Sequence, residues 1–262
     1  KSVEIKREYI EANKSKEEEQ NEFIMGIVTP IVIFPFFMLI TLVVQMVGAE
    51  INEEKSTRSM EIIISNVPAK VHFFSKILAA NLFVIIQCAL LGLYSIIGML
   101  LRGGKSLDSI QNVDVISNVT SGMDITGMIN NLVGYIPLVL ILMAVTLLGY
   151  SLLAGILASM TTNMEDFQQL QTPIFVVSLV GFYLAIMNTM FDGAIFIRVL
   201  SYVPFISAIL SPSLLVTGVI GFKDIILSIL LMVVVIYLLL KYGLKIYKEG
   251  ILNYSSNKLW KK

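Results

Sequence analysis

The sequence predicts an all-α polytopic membrane protein, and three observations carry that expectation. Of its 262 residues 56% are hydrophobic and only 15% charged, and the charges gather in a few clusters. Long apolar runs cover about 24–49, 76–101, 132–160, 172–191 and 223–241. Each supplies roughly the twenty residues that cross a hydrocarbon core of about 30 Å at a rise of 1.5 Å per residue. Between the first two runs lies INEEKSTRSMEIIISNVPAKVHFFSKI, a polar and amphipathic segment longer than a chain reversal needs.

Taken in order, residues 1–23 are dominated by Glu, Lys and Arg with almost no apolar stripe. They read as a solvated helix or linker, the juxtamembrane end of an external domain, and 24–262 as the transmembrane domain. The first run carries Pro30 and Pro35, which remove backbone donors and bend a membrane helix. The 102–131 connection is rich in Asp, Asn, Ser and Gly and reads as a solvated loop. The 192–222 connection is too apolar for such a loop, yet Pro204, Pro212, Gly218 and Gly221 interrupt it. A re-entrant helix pair packed against protein satisfies both features, with one further full span as the competing reading.

Orientation follows from Lys and Arg in the connections. Lys55, Arg58, Lys70 and Lys76 lie between the first two runs, and Lys241, Lys245, Lys248, Lys258, Lys261 and Lys262 follow the last. Five spans put both basic segments on one side, the cytoplasmic one, and put residues 1–23, 102–131 and 192–222 on the other.

Composition excludes several functions. A formal net charge of zero gives no electrostatic reason to expect nucleic acid. One cysteine (Cys88) and one histidine (His72) leave no disulfide framework and no metal site. Glu53-Glu54-x-x-x-Arg58 matches an intramembrane protease signature, but that chemistry needs further histidines. Gly104-Lys105-Ser106 resembles the end of a phosphate-binding loop, but Met99 stands where its first glycine belongs. No ionisable residue occupies the middle of a run, which argues against proton- or ion-coupled transport. Asn81, Gln87 and Asn188 are the candidate pathway residues, weighed against ordinary helix–helix hydrogen bonding. No catalytic residue and no cofactor is expected in this chain.

The 50–76 connection carries the remaining signal. Met60, Ile63 and Ile64 fall at i, i+3, i+4 and predict an apolar helical face from Thr57 to Ser65, with Arg58, Glu61 and Ser65 polar. Val67 before Pro68 ends that helix, and Pro68 can open the next. So short a helix, with little basic charge, would bind lipid weakly, and protein docking accounts for it better.

Glu54 through Pro68, followed by Ser75-Lys76-Ile77-Leu78, resembles the E-x-x-x-x-x-M-E-x-L-L-x-x-P-V…G-K-x-L signature of ABC-2 type transporter permeases. It is most similar to the branch that includes bacterial sodium-efflux permeases. The chain departs in its isoleucines, in lacking a valine after Pro68, and in Ser75 for glycine. Lys245 to Leu252 resembles that family's ending. The resemblance implies a first span and most of an external domain upstream of Lys1. It also implies a bacterial or archaeal inner membrane, a second permease subunit (identical or not), and a cytoplasmic ATPase subunit that carries ATP and Mg. Glu53, Glu54, Arg58, Met60, Glu61, Ile63, Ile64 and Pro68 would then form the coupling helix on which that ATPase docks, with Met60, Ile63 and Ile64 as its anchor. An ATP-independent channel, scramblase or secondary transporter is the alternative.

Overall fold

The computed structural model describes residues 16–101, 134–188, 195–216 and 218–253. Its helices are α1 (Lys16–Ser56), α2 (Ser59–Asn66), α3 (Ala69–Leu101), α4 (Ile136–Met160), α5 (Met164–Ile186), α6 (Ile195–Leu200), α7 (Ser207–Val216) and α8 (Phe222–Leu238). A π-helical turn, Leu239–Gly243, then joins α8 to α9 (Leu244–Ile251). Among the described residues five helices are long and apolar enough to cross a membrane: α1 from Ile33, α3, α4, α5, and α8 with its continuation to Ile251. The chain is therefore an all-α polytopic membrane protein. The loop expected at 102–131 lies outside the described residues.

α4 is the centre of the bundle. Leu142, Leu147, Tyr150, Leu152, Ala154 and Ile156 are buried, and α1, α3, α5, α7, α8 and α9 all pack on it. Such all-round burial gives α4 no single apolar stripe, as expected for a helix enclosed by others. α1 packs on it closely, with Gly155 of α4 set against Phe73, Ile51 and Val47. Pro30 and Pro35 sit within α1 without ending it.

The two faces of the bundle follow from the short connections. α1 and α3 meet through α2, and α4 passes to α5 through residues 161–163, so these ends share one face, here called the connection face. On the opposite face, α6 and α7 are the helix pair expected at 192–222, and neither is long enough to span. Residues 206–215 are buried throughout, which is how non-spanning backbone survives at membrane depth. Its irregular stretch finds partners on the spans. Tyr150 donates to the Phe205 carbonyl at 3.1 Å, and Ser228 donates to the Ser201 carbonyl at 3.0 Å. Arg198 of α6 binds both carboxylate oxygens of Asp224, at 3.0 and 3.1 Å, and so ties the pair to the start of α8.

Candidate coupling site

The connection is built from the end of α1, a tight turn, and α2. α1 continues two turns past the apolar run expected at 24–49, so Glu53 and Glu54 belong to the span helix and not to the short helix beyond it. Thr57 and Ser56 donate to the Glu53 carbonyl at 2.8 and 3.0 Å and close the last turn. Arg58 then takes a left-handed conformation, φ 57°, ψ 11°, and reverses the chain into α2. That conformation costs a non-glycine residue about 1–2 kcal/mol. The other end follows the proline logic: Val67 is extended, and the Val71 and His72 amides bond to the Pro68 carbonyl as α3 begins.

The expected anchor face lies against the bundle. Met60 is fully buried in the chain's own core, and Ile64 packs partly against that core. Ile63 is half-buried, whereas Ile62 is 70% exposed beside exposed Glu61, Ser65 and Asn66. The apolar stripe of α2 therefore faces its own bundle, and the opposite side of the helix is exposed. Arg58, Glu53 and Pro68 are also exposed.

Beneath α2 lies a polar knot that the sequence did not reveal. Lys55 is 1% exposed, and its ammonium donates to the Ser159 carbonyl at 2.6 Å and the Gly250 carbonyl at 2.8 Å. Those carbonyls close the C-terminal turns of α4 and α9, where the helix dipole is negative and favours a cation. No described carboxylate pairs with Lys55; two helix ends hold its charge instead. Beside it Glu54 lies 2.6 Å from Lys76 and 2.8 Å from His72 Nε2. His72 Nδ1 lies 2.8 Å from the Tyr247 hydroxyl of α9, whose ring packs 4.4 Å from that of Phe73. Thr161 donates to Asn52 at 2.9 Å and so fastens the α4–α5 turn to α1. The ends of α1, α3, α4 and α9 are thus one bonded unit, to which α2 is joined through the turn at the end of α1.

The three candidate pathway residues do not come together. Asn81 donates to Ser151 of α4 at 2.9 Å and to the Ile77 carbonyl, which is helix–helix bonding of the ordinary kind. Gln87 is half-exposed nearly two turns further along α3, and Asn188 is buried just past the far end of α5. Among the described residues, the buried hydroxyls of Thr146, Ser207 and Ser211 lack hydrogen-bond partners. The serines of α7, masked in sequence by their apolar neighbours, are polar groups that sequence reasoning passed over. No group of three or more His, Cys, Asp or Glu able to hold a metal occurs among the described residues.

Five spans, a buried helix pair and a helical connection packed on the bundle define a polytopic helical membrane domain. A family model described as "ABC-2 family transporter protein" matches residues 2–243. The chain belongs to that family. It is 31% identical over 252 residues to "Uncharacterized protein YhaP" of Bacillus subtilis (strain 168), an alignment covering 94% of this chain and 56% of that protein. The chain thus spans about half the length of the curated relative it matches. No solved structure matches it.

Proposed function

We propose that the protein moves its substrate out of the cell across the cytoplasmic membrane, driven by ATP that a separate ATPase subunit hydrolyses. The ATPase, carrying ATP and Mg, docks on the outward face of α2, formed by Arg58, Glu61, Ile62, Ser65 and Asn66. A second permease subunit completes the translocation path. The observation that carries this reading is the construction of the connection. A helix that presents Ile62 outward is held to the bundle by buried Met60 and joined by one tight turn to the end of α1, which the Lys55 and Glu54 bonds tie to the ends of α3, α4 and α9. Pressure on such a helix is passed to the spans as a rigid displacement instead of being absorbed by a loose loop.

Ile62→Asp tests it. The side chain is exposed, so the substitution should change the stability of the isolated permease by no more than about 0.5 kcal/mol. Buried against a partner, an unpaired carboxylate would cost several kcal/mol, a loss of about two orders of magnitude or more in affinity. The measurement is co-purification of the ATPase with the full-length permease. Equal recovery with Ile62→Asp would contradict the docking assignment.

A further inference from the structure

The helix that ends the last span presents an unused basic stripe. Lys241, Lys245 and Lys248 recur at i, i+4, i+7 and all are exposed, while Gly243, Tyr247, Gly250 and Ile251 turn inward against α3 and α4. The other basic groups at the connection face include two that are engaged. Lys55 binds two carbonyls, and Lys76 lies 3.3 Å from Glu50 and 2.6 Å from Glu54. No described carboxylate pairs with any of the three lysines of the stripe; Lys241 instead lies 5.5 Å from the centre of the exposed Tyr242 ring.

Length fixes the depth of the stripe. The helical run from Phe222 to Ile251 has 30 residues, about 45 Å at 1.5 Å each, against a hydrocarbon core of about 30 Å. Counted from Ile225, the first residue after the charged Lys223-Asp224 pair, about twenty residues carry the helix across and end near Leu244. Lys245 and Lys248 therefore fall at the headgroup level. Lys241 lies within one turn of it, close enough for its ammonium to reach up along the helix. Tyr242 and Ile246 are exposed beside them, an apolar flank suited to acyl chains below the headgroups.

We propose that Lys241, Lys245 and Lys248 form a binding surface for anionic phospholipid, their ammonium groups taking the headgroup phosphates of the leaflet at the connection face. The surface abuts the knot at Gly250 and Tyr247, so bound lipid would hold α9 against α3 and α4. The proposal stands apart from the ATP-driven reading, since it needs only the bilayer.

The test reconstitutes the natural full-length protein in nanodiscs of mixed phosphatidylcholine and phosphatidylglycerol and counts the lipids it retains by native mass spectrometry. Wild type should retain phosphatidylglycerol over phosphatidylcholine, and the preference should weaken as salt is raised. Each lysine changed to glutamine should lower that preference about five-fold, and the triple Lys→Arg variant should keep it. A wild-type protein that retains both lipids equally, or a Lys241→Gln/Lys245→Gln/Lys248→Gln variant with undiminished preference, would overturn the proposal. So would a triple variant that keeps its phosphatidylglycerol but loses a bound protein, which would make the stripe a protein contact.

Discussion

Lys55→Met is expected to loosen the connection face more than any other single neutralisation of charge. The wild-type ammonium donates to two carbonyls and so lies between the C-terminal turns of α4 and α9. Methionine matches much of the volume but leaves the Ser159 carbonyl without its side-chain donor, at about 1–3 kcal/mol for a buried acceptor. Loss of the cation from two helix C-termini adds up to about 2 kcal/mol. Against this stands the relief of no longer burying a charge. The net expectation is a destabilisation of about 2–3 kcal/mol, read as a lower midpoint in a denaturant titration of the detergent-solubilised protein. Lys55→Glu should yield no folded protein, because a carboxylate would face two carbonyl oxygens. A Lys55→Met midpoint equal to wild type would show that the helix ends are held by packing alone.

Gly250→Ala is expected to destabilise although alanine is the better helix former by about 1 kcal/mol. The added Cβ would sit 2.7 Å from the Ser159 carbonyl oxygen and 2.8 Å from its hydroxyl. The carbonyl belongs to the backbone of α4 and cannot rotate away, so α9 itself must move. Overpacking of this kind costs about 1–3 kcal/mol. It also draws the Gly250 carbonyl from Lys55, so Gly250→Ala and Lys55→Met should be strongly non-additive. The double-mutant cycle in the same titration checks this, and additive effects would mean that the two residues act independently.

These two residues also show where sequence reading stops. The spans were legible because crossing a bilayer imposes a length and an apolarity that few other structures share. The break at Val67-Pro68 was legible because proline restricts the residue before it. The helix pair at 192–222 was legible because an apolar segment broken by proline and glycine has few places to go. The inward turn of Met60 was not, because a helical stripe shows that one face is apolar and not which neighbour covers it. Lys55 read as one more surface cation in a basic connection. Its acceptors lie 104 and 195 residues away and are backbone atoms, which leave no trace in residue type. The link from His72 to Tyr247, 175 residues apart, was invisible for the same reason of distance. Asn81 carried a polar signal, but only the position of Ser151 shows that it serves packing.

The most direct test of the account places a photo-crosslinking amino acid at Ile62 in the natural full-length protein, irradiates intact membranes, and identifies the adduct by mass spectrometry. A covalent product with an ABC-type ATPase is expected, absent when the crosslinker is placed at exposed Lys223 on the opposite face. Adducts to lipid alone from Ile62, with the ATPase present in the same membranes, would contradict it.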